Sequence, residues 1–118
     1  MLARATCLAV LIATPLQAQV LQCFGEKPDW KLGLGKESAD FVYQRQINFD
    51  VPLITKAREG RAFPRAFTLT APGETAIVLI DRDACLIGST SYPASVDILT
   101  QDGSEAIILT GCCVALPE

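Results

Sequence analysis

Apolar and polar residues alternate along most of the chain in short runs, and the runs are separated by clusters of Gly, Pro, Asp and Ser. That rhythm predicts short strands joined by turns. A first strand is expected at Val20-Leu21-Gln22-Cys23-Phe24, followed by the loop Gly25-Glu26-Lys27-Pro28-Asp29. Trp30, Leu32 and Leu34 then put three large apolar side chains on one face of a second. Gly35-Lys36-Glu37 turns the chain. Further apolar pieces are Phe41-Val42-Tyr43, Val51-Pro52-Leu53-Ile54, where the proline marks an edge or a bulge, and Phe67-Thr68-Leu69-Thr70. Ala71-Pro72-Gly73-Glu74 is a turn by composition. Ala76-Ile77-Val78-Leu79-Ile80 is almost wholly apolar, so it is expected to be covered on both faces or to lie centrally in a small barrel. After Cys85 the loop Gly88-Ser89-Thr90-Ser91 leads to Tyr92-Pro93 and a strand through Val96-Asp97-Ile98-Leu99. Gln101-Asp102-Gly103-Ser104 is a hairpin signal, and Ala106-Ile107-Ile108-Leu109 runs on into Gly111-Cys112-Cys113.

Beyond the N-terminal region, no stretch keeps an apolar face at helical spacing over three turns. Residues 38–49 come closest and are rich in β-formers. The expected fold is therefore all-β: a small antiparallel meander barrel or sandwich of about eight short strands, stapled by disulfides.

Residues 1–18 follow a different pattern. One cation, Arg4, precedes the apolar run Cys7-Leu8-Ala9-Val10-Leu11-Ile12-Ala13, and Leu16-Gln17-Ala18 ends on a small residue. That order predicts a secretory signal cleaved after Ala18. The run is far shorter than the roughly 20 residues that span a bilayer. The expected organisation is a signal peptide at residues 1–18 and a single β domain at 19–118, periplasmic or secreted, with no transmembrane segment after cleavage. Removing residues 1–18 takes away Arg4 and Cys7, leaving nine basic and thirteen acidic side chains, a net charge of −4. This balance argues against nucleic acid or anionic lipid as partners, since a mildly acidic domain does not offer the basic clusters both need, and it suits a cationic partner better.

The four remaining cysteines, Cys23, Cys85, Cys112 and Cys113, form an even set of the kind an oxidising compartment selects. Neighbouring side chains leave a strand on opposite faces, so Cys112 and Cys113 are expected to tie down two different segments, one through Cys23 and one through Cys85. Which sulfur takes which partner stays open between the two crossed arrangements. A soft-metal or redox role for the Cys112-Cys113 pair, with Cu(I) as the metal, is the alternative use of these sulfurs.

The chain contains no histidine. Ser–His and Cys–His nucleophile pairs are excluded with it, as are most zinc sites, so a non-enzymatic role without cofactor or metal is expected. Asp81 and Asp83 would share a face if their strand continued, but Asp-Arg-Asp reads as a solvated strand end. Gly33-Leu34-Gly35 lacks the third glycine and following helix of a phosphate loop and reads as a turn. The densest charge is basic: Lys56, Arg58, Arg61 and Arg65, interleaved with Phe63 and Phe67. Cations between aromatics form a candidate surface for an anion or a partner. Trp30, the sole tryptophan, is expected to plug one end of the barrel.

The segment Cys23-Phe24-Gly25-Glu26-Lys27-Pro28-Asp29-Trp30 resembles the Cys-x-Gly-x-Glu-Pro-x-Trp opening of a family of small exported bacterial domains, described as uncharacterised membrane proteins or lipoproteins. Cys85, Tyr92-Pro93 and a closing Gly111-Cys112-Cys113 extend the resemblance across nearly the whole predicted domain. Lys27 stands where that family has glutamate and Asp29 where it has phenylalanine, and the Met-Ser-Asp that members carry before Tyr92 is missing. The resemblance implies an exported, disulfide-bonded β-rich fold without an assigned activity. A second similarity is to the small cysteine-bridged β-barrel inhibitors of c-type lysozyme, whose cationic target suits an acidic domain. The expected function is thus an exported domain that binds an unknown protein or envelope component, with lysozyme inhibition as the alternative.

Overall fold

The computed structural model describes residues 19–115, so the expected signal peptide at residues 1–18 lies outside the described residues. Ten strands form, in chain order β1 (Gln19–Gly25), β2 (Trp30–Gly35), β3 (Ser38–Tyr43), β4 (Arg45–Lys56), β5 (Arg65–Ala71), β6 (Glu74–Asp81), β7 (Cys85–Ile87), β8 (Thr90–Tyr92), β9 (Ala94–Asp102) and β10 (Glu105–Ala115). Eight of them close into an antiparallel barrel in the order β1-β10-β9-β6-β5-β4-β3-β2, and β7 and β8 form a separate hairpin. The barrel, rather than the sandwich, is the architecture.

Alternation builds the wall. Ala76, Val78 and Ile80 on β6 and Val96, Ile98 and Thr100 on β9 face inward, where they meet Leu32, Leu34, Phe41, Phe49, Phe67, Leu69 and Leu109. An eight-stranded barrel encloses about enough space for such side chains to fill. Each fully buried Leu, Ile or Phe contributes about 1.5–3 kcal/mol by leaving water. Of the two expectations for residues 76–80, central placement holds and cover on both faces does not: Ile77 is 45% exposed and Leu79 38%, because a barrel wall has only one dry side. Pro52 lies where the β4–β5 register shifts, between Asp50 and Leu53, so the bulge expected there forms. Gly33-Leu34-Gly35 is not a turn but the end of β2; Gly33 pairs with Gln22 on one side and Asp40 on the other, and pairing on both flanks holds it extended. The cis prolyl bonds are Lys27–Pro28 and Phe63–Pro64, and Tyr92–Pro93 is not among them.

The two adjacent cysteines fall on opposite sides of the wall. Cys113 faces the core and is bonded to Cys23, its register partner on β1; Cys112 faces outward and is bonded to Cys85 on the β7–β8 hairpin. The bridges span 90 and 27 residues, which on the loop-closure model limits the unfolded chain by about 4–5 and 3–4 kcal/mol. The Phe24 and Tyr92 rings meet edge to face, with centroids 4.9 Å apart, and this contact pins the hairpin to the outside of β1.

One end of the barrel is ragged. β1 stops at Gly25, level with Gly111, whereas β10 begins six residues earlier. Trp30 fills the step. Its indole lies against Gly25 and Gly111, where any Cβ would overlap the ring, and its Nε1–H donates to the Thr110 carbonyl at 3.2 Å. The indole N–H thus satisfies a strand carbonyl that β1 is too short to reach. Trp30 is 2% exposed and plugs this end, as its position in the sequence predicts.

Candidate functional site

The residues of the expected cationic cluster, Lys56, Arg58, Arg61 and Arg65, lie at the barrel end opposite Trp30. Lys56 closes β4 and Arg65 opens β5, and the two are register partners at the base of a loop that carries a 3-10 turn, Arg58–Gly60. Lys56, Arg58 and Arg61 are exposed, while Arg65 is half-buried. Phe63 folds back against the core from the loop. The Arg65 guanidinium lies 5.1 Å from the centroid of its ring, and Arg65 Nε donates to the Ala62 carbonyl at 3.3 Å. A second guanidinium, Arg82, lies 5.4 Å from the same centroid. It comes from the turn after β6, which is held by a 2.8 Å hydrogen bond from the Arg82 backbone N–H to Asp81 Oδ1.

Sequence reasoning missed Arg82 because it stands seventeen residues beyond Arg65, and only the pairing of β5 with β6 brings the two together. The signal available was the hairpin itself: a turn at Pro72-Gly73 between two runs of nearly equal length places their far ends side by side. Phe67 does not join this surface. It is buried in the barrel, since it lies on the inward face of β5. Residues 56–65 and 81–83 together carry five cations and three acids, so this end is positive on a chain that is acidic as a whole. Asp83 falls beyond β6 and does not share a strand face with Asp81. The arrangement can hold an anion between guanidiniums braced on an aromatic ring. Among the described residues no group of three or more Cys, Asp or Glu is placed to hold a metal ion.

The ragged end has a mouth. The β3–β4, β5–β6 and β9–β10 hairpins rise above the last barrel pairings and enclose a cavity of about 360 Å³. Phe41, Tyr43 and Ile47 give it an apolar wall; Arg45, Glu74 and Gln101 stand around it. Side chains tie the hairpins together where the ladder has ended. Thr100 Oγ1 donates to the Thr75 carbonyl at 3.1 Å, the Gln101 amide reaches Thr75 Oγ1, and Arg45 is ion-paired with Glu74. One outward row of the wall is largely apolar: Leu53, Thr68, Ile77, Leu99 and Ile108 are successive register partners across β4, β5, β6, β9 and β10, and all but the half-buried Thr68 are large exposed apolar side chains.

The motif residues of the noted resemblance meet in one place. Cys23 is bonded to Cys113, Gly25 and Gly111 lie under the Trp30 indole, and Cys112 holds the β7–β8 hairpin. Their chemistry is that of closing a barrel. The two departures, Lys27 and Asp29, are exposed on the β1–β2 loop. Compared with known protein families, with curated proteins and with solved structures, the chain matches none, and the resemblance stands on these residues alone.

Proposed function

We propose that the chain is an exported, non-enzymatic binding domain that contacts an anionic protein or envelope component through its Phe63-centred cationic end. The observation that carries this reading is the convergence of Arg65 and Arg82 on one ring, which fixes two charges at short range on a half-buried support. Guanidiniums held this way lose little conformational freedom on binding and present forked donors suited to carboxylate or phosphate. Both bonded cysteine pairs suit an oxidising compartment, in keeping with the expected export. The test is retention: immobilised protein incubated with envelope extract at low ionic strength retains a partner, releases it near 1 M salt, where the Debye length falls to about 3 Å, and fails to retain it as the Arg65→Ala/Arg82→Ala variant. An extract that leaves nothing on the column overturns the reading.

A second reading, inhibition of c-type lysozyme, draws on the small cysteine-bridged barrel and on the acidic balance of residues 19–118. It is an argument from fold and charge. Equimolar protein that leaves lysozyme turnover unchanged removes it. A Cu(I) or redox role for Cys112 and Cys113 would act through their reduced sulfurs, whereas each is bonded to a different partner here; protein from an oxidising compartment with no free sulfhydryl, and no metal binding after reduction, removes this reading.

A further inference from the structure

The mouth opposite the cationic end has the attributes of a second, separate site. Its cavity of about 360 Å³ falls at the lower end of the range for small-ligand pockets, and barrel mouths are a recurrent place for them. Three tight turns leave it open: Gln44, Gly73 and Gly103 each take positive φ, so the hairpins reverse without crossing the lumen. Its lining is mostly polar, with one apolar side made by half-buried Tyr43 and Ile47 over the buried Phe41. Phe41 and Tyr43 lie two apart on β3, with ring centroids 6.4 Å apart, and Ile47 is the register partner of Phe41 on β4. Its rim carries one cation, Arg45, against two carboxylates, Glu74 and Asp102.

The two partners of the rim ion pair are not equivalent. Glu74 is largely covered, with 19% of its side chain exposed, while Arg45 is 65% exposed. Both line the cavity, and the carboxylate is the more enclosed of the two. We propose that the mouth binds a small amphipathic organic cation, an aryl- or alkyl-ammonium, whose charged head replaces the Arg45 guanidinium on Glu74 and whose stem lies on Tyr43 and Ile47. The surplus of carboxylate over guanidinium at the rim favours a cation over an anion. Arg45 is 65% exposed, so its long side chain can swing into water when another cation takes its place on Glu74.

The roles of the two rim residues give the test its signs. Phenethylammonium is titrated into isotopically labelled protein, and the amide shifts of Gly73 and Gly103 are followed by NMR. The expected result is saturable binding at about 1 mM or tighter, with phenylacetate, the anion of matching shape, producing no shifts at these amides. Arg45→Gln removes the competitor and tightens binding about three- to tenfold. Glu74→Gln weakens it at least tenfold, with the spectrum outside the mouth unchanged to show that the barrel is intact. Binding of phenylacetate in preference to phenethylammonium, or weaker binding of the cation by Arg45→Gln, overturns the proposal, as does the absence of saturable shifts. The anionic partner of the opposite end plays no part in this measurement, so the two sites stand or fall separately.

Discussion

Cys112 and Cys113 are neighbours in sequence but are bonded on opposite sides of the barrel wall, one outward to Cys85 and one inward to Cys23. The two bridges therefore have separable effects. The double variant Cys85→Ala/Cys112→Ala is expected to keep the barrel and free the β7–β8 hairpin, with the amides of residues 85–92 losing protection in hydrogen exchange and stability falling by no more than about 3–4 kcal/mol. Cys23→Ala/Cys113→Ala loses the longer closure and leaves a cavity in the core, so denaturant unfolding shows the greater loss. Equal losses from the two pairs would contradict this division.

Gly111 is set by the indole above it. A methyl group there meets the Phe24 carbonyl as well as the Trp30 ring, and the backbone cannot move aside as a side chain does. Gly111→Ala is expected to cost about 1–3 kcal/mol or more in denaturant unfolding and to shift the Trp30 emission. Gly88→Ala, on the exposed tip of the β7–β8 hairpin with open space around it, leaves that emission unchanged. An unshifted spectrum for Gly111→Ala would remove the indole from this position.

Much of this fold is legible in the sequence, because one dry face and one wet face impose a period of two. The barrel strands, the bulge at Pro52 and the two-way use of Cys112 and Cys113 all follow from that period and from cysteine parity. The β7–β8 hairpin does not, since three-residue strands on either side of Gly88-Ser89 are too short to show alternation and are held by a sulfur bridge and one aromatic contact. Nor does Arg82 announce itself: its place beside Phe63 is a matter of which strand ends lie together, and local pattern carries no such information.

Arg82 tests that point directly. Arg82→Ala is expected to weaken retention of the anionic partner as much as Arg65→Ala does, and Phe63→Leu to weaken it by removing the surface both guanidiniums rest on. Column retention across a salt series measures all three. If Arg82→Ala binds as the parent does, the cationic end is confined to residues 56–65.

The outward row makes a sharper prediction than its hydrophobicity suggests. Ile77 and Val78 are adjacent, yet Ile77 is 45% exposed and Val78 fully buried. Ile77→Lys is expected to change stability by no more than about 0.5 kcal/mol, whereas Val78→Lys places an unpaired charge in the core and prevents folding. Circular dichroism and denaturant midpoints distinguish them. A one-residue slip of β6 would exchange the two outcomes.

The three hairpins around the mouth are joined to one another by a hydroxyl, an amide and an ion pair rather than by continuous backbone pairing. They differ in reach: the Gln101 amide is exposed, whereas the Thr100 hydroxyl is buried and would lose its partner at a cost of about 1–3 kcal/mol. A change at the Gln101 amide therefore touches the rim alone, while one at Thr100 reaches into the wall.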